Sequence, residues 1–377
     1  MITRLLESCI HKSLFNGKTI VLYGARQTGK TTLVTKIMNE FGDKGRYLNC
    51  EILSVEQSLK DAEPEKLSAF LGNYKVIVLD EAQNIDSIGR ILKVITDNLK
   101  GIQIIATGSS SFDLANKTAE SMTGRVVHFT LFPLSVIEIK EKKDWIDIDA
   151  LLDKMLRFGL YPEVFTSNEE SAINKLHELS SSYLFKDLLK FDGIKKSSLL
   201  KNLIISLALQ IGNEVTYNEL AAKLGVSSLT VQKYIDLLEQ SFVVFKLHSF
   251  SRNIRKELTK SIKVYFYDVG MRNALINNFN PLSLRSDVGA LWENFCIAER
   301  VKANHYLGKR VNSYFWRTYD QKEIDYIEEE NGKITGFEFK YSDKIKYRAP
   351  KAFIEAYNAQ VIKIDKSNYW KFVSLSA

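Results

Sequence analysis

The sequence predicts an α/β protein. A parallel-sheet core leads into a helical lid, a winged helix-turn-helix and a second, C-terminal α/β domain. Three observations carry this reading. Nearly continuous apolar, β-branched runs alternate with helical stretches over the first 140 residues, as a sheet covered on both faces requires. The motif G-x-x-x-x-G-K-[ST] falls where the first such run meets the first long helix. Beyond residue 140 the apolar spacing becomes helical, then gives way to two short helices hinged on glycine and to alternating strands.

Element by element, residues 1–15 read as a short amphipathic helix and KTIVLYG as a buried strand. A helix follows from Lys30 to about Glu40. GRYLNCEI, KVIVLDE, IQIIATGSSS and VVHFTLFPLS read as four more strands, with a helix from Ile88 to Leu99. Residues 1–140 form this core, and 141–211 a helical lid punctuated at Gly159-Leu160-Tyr161-Pro162. In 212–280, Thr216 and Glu219 have capping-box spacing, Ser227 or Ser228 caps a second helix, and FVVFKLHSF and IKVYFYD supply a wing. In 281–377 a helix near Val288–Ala303 leads into VNSYFWR, EIDYIEE and KITGFEFKYS.

Composition excludes several classes. The chain has 377 residues, 45% apolar and 26% charged, with 5 Pro and 19 Gly, which rules out low-complexity and collagen-like chains. No apolar stretch reaches the ~18 residues of a membrane span. MITRLLESCIHK lacks a signal-peptide core. Cys9, Cys50 and Cys296 show no metal or disulfide spacing, so a reducing cytoplasm is the expected location. The net charge of +7 permits nucleic acid as a partner without requiring it.

The chemistry concentrates at one loop. Gly24, Ala25, Arg26, Gln27, Thr28, Gly29, Lys30 and Thr31, followed by Thr32, form the phosphate-binding motif. Glycines let backbone N–H groups curl around an anion, and the helix N-terminus adds partial positive charge. Lys30 is expected to neutralise β/γ oxygens of a nucleotide and Thr31 to ligate Mg2+. Asp80 and Glu81 end a buried strand, where ligands bind in open α/β sheets. Asp80 is the second Mg2+ residue and Glu81 the base that orients and deprotonates water. Thr107 and Ser109 end the next strand, placed either to contact γ-phosphate or water, or to satisfy their own turn. Arg125 is a candidate γ-phosphate sensor, an arginine finger for a neighbouring subunit, or a surface ion pair.

Together GARQTGKTTL, VIVLDEAQ, ATGSSS, the Gly-Arg before FPLS, and YPEV resemble prokaryotic AAA-type P-loop ATPases. In these a core is joined to a C-terminal domain of poorly assigned function. The resemblance extends through GALWENF to EIDY and FEFK, and it implies binding and hydrolysis of ATP with Mg2+.

Two further regions carry candidate sites. Thr230, Gln232, Lys233 and Asp236 point away from the apolar side of the second short helix. Arg252, Arg255, Lys256, Lys260 and Lys263 crowd the wing, which suits weak, sequence-independent phosphate contacts with DNA; packing is the alternative use. In the last domain Glu338 and Lys340 share one strand face, Asp325 lies on an adjoining strand, and Glu293 lies on the preceding helix. These residues could hold Mg2+. This D…ExK set resembles restriction-endonuclease-like domains, with Ile324 where their motif carries Pro, so a C-terminal α/β nuclease-like domain is expected; its alternative is a surface Lys–Glu pair. The functional expectation is a Mg2+-dependent ATPase acting on nucleic acid. Its rival is a nucleotide-operated switch that binds a protein partner through an inert last domain; a homo-oligomer is the assembly that Arg125 acting on a neighbouring subunit would require.

Overall fold

The computed structural model describes residues 2–61, 63–109, 122–183, 197–250, 261–318 and 320–375. Ser110, Ser111, Arg252, Arg255, Lys256 and Lys260, singled out above, lie outside the described residues. The chain divides into two compact units, Met1–Pro133 with Gln240–Phe242, and Leu134–Glu239 with Val243–Ala377.

The first unit is a five-stranded parallel sheet of β1 (Thr19–Tyr23), β2 (Gly45–Asn49), β3 (Val76–Asp80), β4 (Gln103–Gly108) and β5 (Val126–Thr130), in the order β2-β3-β4-β1-β5. Every residue of β1, β3 and β4 is buried, which is why these strands read as unbroken apolar runs rather than alternating ones. Helices Lys30–Asn39 and Ile88–Asn98 each bury an apolar stripe, Leu33, Val34 and Ile37 in one, Ile88, Ile91, Leu92 and Ile95 in the other. Each such side chain removed from water contributes about 1.5–3 kcal/mol before chain entropy is counted. Because β1 is flanked by β4 and β5, the chain reverses its build direction there. The crevice beyond the C-terminal end of β1 is the place a parallel sheet offers to a ligand. Two helices between β2 and β3, Leu53–Lys60 and Pro64–Leu71, are additions to the sequence expectation.

The second unit is organised by a seven-stranded mixed sheet, β12-β11-β10-β9-β7-β8-β6. Its strands are β6 (Glu214–Val215), β7 (Val244–Ser249), β8 (Ile262–Phe266), β9 (Asn312–Arg317), β10 (Glu323–Glu330), β11 (Lys333–Phe339) and β12 (Gln360–Ile364). The two expected wing strands, β7 and β8, form an antiparallel pair, and β7 then pairs in parallel with β9 through His248–Tyr314 and Ser249–Phe315. The sheet therefore runs without interruption past residue 280, where a domain boundary was expected. The helical segment from residue 141 belongs to the same compact unit. Helices Tyr217–Leu224 and Ser228–Gln240 form the hinged pair; Thr216 Oγ1 accepts the Glu219 N–H at 3.1 Å, and Ser227, not Ser228, accepts the Thr230 N–H at 3.2 Å.

The Gly159 punctuation marks a tight corner. Helix Leu152–Phe158 ends at Gly159, with φ +73°, and the Leu160 N–H donates to Asp268 Oδ2 at 2.6 Å. Asp268 also caps helix Val269–Leu275 by accepting the Met271 N–H at 3.0 Å. A Cβ on Gly270 would sit 2.0 Å from the Phe158 carbonyl oxygen, so only glycine lets these two helices approach this closely.

Candidate active site

β1 delivers the chain into the phosphate-binding loop and helix Lys30–Asn39 takes it away. Gly24 has φ +153°, and an added Cβ would collide with the Leu131 carbonyl oxygen at 2.2 Å. Gly29 (φ +94°) and Gln27 (φ +58°) complete the curl in left-handed backbone. The Lys30 ammonium is buried and donates to the carbonyl oxygens of Gly24 and Ala25, at 2.8 and 3.0 Å. It is folded onto its own loop, within reach of the space that the loop encloses. Thr28 Oγ1 donates to Ala25 O at 2.9 Å. Arg4, which sequence reasoning missed, braces the loop from the N-terminal segment. Its guanidinium donates to the carbonyls of Thr28 at 2.6 Å and Phe132 at 2.7 Å.

At the tip of β3 the Asp80 carboxylate gathers three hydroxyls. Thr31 Oγ1 donates to Asp80 Oδ2 at 2.8 Å and Tyr47 OH to the same oxygen at 2.5 Å, while Thr107 Oγ1 donates to Oδ1. Burial and the Asp80 carboxylate together raise the Tyr47 phenol far above its ordinary range, so it stays a donor. Burial also pushes the neighbouring Cys50 thiol up to about 12, with help from Asp80 and Glu81, so it is no thiolate. Glu81 takes a left-handed backbone, φ +55°, which is rare for a residue with a Cβ and concentrates at functional sites. Its N–H donates to Thr107 Oγ1 at 3.0 Å, and its carboxylate accepts from Gln83 Nε2, which also donates to Ser109 Oγ at 3.2 Å.

The Thr31–Asp80 pair brings a hydroxyl and a carboxylate to one point beside the Gly24–Gly29 loop. This is a hard-oxygen donor set that fits Mg2+ on a nucleotide. Such an ion would supply charge neutralisation at the phosphate oxygens. Thr107 and Ser109 serve the two acids: Thr107 holds Asp80 and the Glu81 backbone, and Ser109 shares Gln83 with Glu81.

One expectation at this site is corrected. Arg125 does not face the loop of its own chain. It precedes β5, where Thr19 N–H donates to Arg125 O at 2.9 Å, whereas the loop leaves from Tyr23, which pairs with Thr130 at the other end of the same strands. Its guanidinium Nε meets Asp97 Oδ1 at 2.7 Å. A γ-phosphate sensor in the same chain is thereby excluded by strand register.

The second unit gathers the other acidic candidates. Opposite the single residue Phe315, β10 carries both Asp325 and Tyr326, a β-bulge that re-aims a side chain. Asp325 Oδ2 accepts the Phe339 N–H at 2.9 Å. Lys340 Nζ donates to Glu338 Oε1 at 2.7 Å, so the expected shared strand face holds. Glu293, from helix Val288–Tyr306, accepts from Tyr265 OH at 2.6 Å. Burial, reinforced by Asp325, pushes both Glu293 and Glu338 up to about 7. The Tyr347 phenol lies beside the buried Glu338 carboxyl, and burial and Glu338 raise its titration.

Lys263 is the second correction. It was expected on an exposed basic wing, but it lies inside β8 with 1% of its side chain exposed. Its ammonium sits 3.5 Å from Glu293 Oε1 and 4.0 Å from Asp325 Oδ1 and is ion-paired with Glu323. The expected metal set of Glu293, Asp325 and Glu338 is not among the described groups whose ligand atoms lie within 4.8 Å of one another. A fixed cation already stands among its acids. The trio among the described residues whose ligand atoms all lie within 4.8 Å is instead Glu7, His11 and Glu40. A lysine in the middle of the apolar run IKVYF was the available signal, because a buried lysine demands a carboxylate partner.

On helix Ser228–Gln240, Gln232 and Lys233 are exposed, and Asp236 is ion-paired with Lys246 at 2.5 Å.

Comparison with known proteins places this geometry. Residues 16–140 match the family model described as AAA domain. Residues 149–282 and 288–370 match two domains of unknown function, DUF8612 and DUF4143. An uncharacterized protein of Mycobacterium tuberculosis is 29% identical over 336 residues, 88% of this chain and 72% of that protein. One of Methanocaldococcus jannaschii is 25% identical over 392 residues, covering 97% and 84%. Among solved structures, the Pif1 helicase from Candida albicans aligns over 48% of each chain at 20% identity with a TM-score of 0.28, too low to carry an argument. The first unit is thus an α/β domain with a parallel sheet, most of which matches an AAA domain model, in keeping with a P-loop ATPase core. Among the described residues no helix is long and apolar enough to cross a membrane.

Proposed function

We propose that the chain is a Mg2+-dependent ATPase whose nucleotide cycle drives or regulates an action on nucleic acid. The observation that carries the enzymatic half is the 2.8 Å bond from Thr31 to Asp80 at the lip of the Gly24–Gly29 cradle, with Lys30 buried beside it. In this reading Lys30 releases the Gly24 and Ala25 carbonyls to meet phosphate oxygens. Thr31 and Asp80 hold the metal. Glu81, released from Gln83, orients water and takes its proton. The exposed Gln232 and Lys233 on a helix-turn-helix support the nucleic-acid half, together with the basic residues Arg252, Arg255, Lys256 and Lys260.

A second reading is a nucleotide-operated switch that engages a protein partner through an inert last domain. The buried Lys263 among the C-terminal acids favours it.

ATP turnover of the wild type, Lys30→Ala and Glu81→Gln, with and without duplex DNA, single-stranded DNA and RNA, tests both. Lys30→Ala is expected to abolish turnover, and Glu81→Gln to keep binding while slowing hydrolysis ~10²–10⁴-fold, as loss of a general base does. Unchanged turnover in Glu81→Gln overturns its role. Stimulation by nucleic acid that fades with salt supports the first reading. Indifference to every form favours the switch.

A further inference from the structure

One face of β8 closes the acidic centre of the second unit. Along this strand Ile262, Val264 and Phe266 point one way, so Lys263 and Tyr265 point the other, two residues apart. Both reach Glu293: the Tyr265 phenol donates to Oε1 at 2.6 Å and the Lys263 ammonium lies 3.5 Å from the same oxygen. That ammonium is also paired with Glu323 and lies 4.0 Å from Asp325 Oδ1. Phe315, the residue that faces the bulge, offers its ring 5.6 Å away. Lys340 neutralises Glu338, and Arg317 reaches toward Glu323 at 3.8 Å. Each of the four carboxylates therefore has a cationic neighbour supplied by the chain. An ammonium held by three carboxylates and almost fully removed from water cannot swing out as a surface lysine does. A divalent ion entering the same space would have to meet its charge at close range.

We propose that Lys263 is the resident cation of this centre, standing where a divalent metal would otherwise bind, so that the Glu293–Asp325–Glu338 set is a closed, metal-free cluster. The consequence is that the domain has the acids and the lysine of a phosphodiester-cleaving site without its metal. It serves as a structural or recognition module. This holds whether or not the first unit turns over ATP, because the test needs no nucleotide.

Full-length protein carrying Asp80→Asn, which removes the metal residue of the phosphate loop, is titrated with Mn2+, and free ion is followed by electron paramagnetic resonance. With Lys263 in place, no Mn2+ bound at this centre is expected below millimolar concentration. Lys263→Met is expected to open a site with at least tenfold tighter apparent affinity, lost again when Asp325→Asn is added. Mn2+ bound by the Lys263-containing protein and lost with Asp325→Asn overturns the proposal. Mn2+ that survives Asp325→Asn lies elsewhere and leaves the centre metal-free, as proposed. The Lys263-containing proteins decide the matter even where Lys263→Met fails to fold.

Discussion

Glu293 shows how strongly a single position depends on its surroundings. It is a carboxyl group buried beside Lys263 and Tyr265 from β8 and Asp325 and Glu323 from β10, with the Lys340 charge within electrostatic reach. Burial is the largest influence, and it raises the group from 4.5 to about 7; Lys263 and the Tyr265 hydroxyl act in the opposite direction. Across that interval the folded chain holds a proton that the unfolded chain has lost. Stability must therefore fall as pH rises from about 4.5 to 7, and be fully retained below it. A shift of this size corresponds to at most about 3 kcal/mol. Glu293→Gln keeps a neutral partner for Tyr265 and should flatten the slope. All four tryptophans, Trp145, Trp292, Trp316 and Trp370, lie in the second unit, so their fluorescence reports its unfolding alone. The urea midpoint followed this way should drop between pH 5 and 7.5 in the wild type and less steeply in Glu293→Gln, where Glu338, also raised to about 7, keeps part of the slope. Equal slopes would remove the role given to this carboxyl.

At the scale of elements, the glycines at residues 159 and 270 decide whether two helices can meet. Gly270→Ala puts a methyl 2.0 Å from the Phe158 carbonyl oxygen, a backbone atom that cannot rotate away. Overpacking of this kind costs about 1–3 kcal/mol or more, so the tryptophan-detected midpoint should fall accordingly. A variant as stable as the wild type would show that the corner relaxes. The same corner marks what sequence could and could not reveal. The break at Gly159–Pro162 was legible because glycine and proline interrupt a helical period, but Asp268, 108 residues on, was not, since nothing local records a partner so distant. The core strands were legible for the same reason: burial on both faces writes itself as an apolar run. β12 and the helices between β2 and β3 were not, because QVIKI and their mixed sequences are only half-buried. In the active site, Lys30, Thr31, Asp80 and Glu81 sit in motifs with fixed spacing. Gln83 closes the VIVLDEAQ box, whereas Arg4 and Tyr47 reach the same site from positions that no motif fixes. Of the readings open for Arg125, strand register leaves the surface ion pair with Asp97 and removes the sensor in its own chain. Lys263 was misread because a lysine at the end of a basic run looks exposed until strand register places it.

For the whole molecule, the consequential fact is the parallel pairing of β7 with β9. A winged helix-turn-helix that ended in its own two-stranded wing could be cut from the rest of the chain. Here β7 is an interior strand of seven, with β8 and β6 on one side and β9, β10, β11 and β12 on the other. Ending the chain at residue 280 would remove helix Val288–Tyr306 and those four strands. The outer edge of β7 would then lose its pairing at His248, Ser249 and Phe250, and uncover the ring of Phe250, which in the full chain packs on Tyr314 and Tyr357. Lys246 would keep Asp236 and Glu239, but Lys263 would lose Glu293, Glu323 and Asp325 together and become a buried, unpaired cation. An unprotected strand edge templates association, and an unpartnered buried charge destabilises by about 3–5 kcal/mol. A chain of residues 1–280, which keeps Trp145 alone of the four tryptophans, should therefore be aggregated, whereas the full chain should not. Size-exclusion chromatography of the two would decide it: a monomeric 1–280 protein would mean that the wing stands alone and that the boundary read from the sequence is a true one.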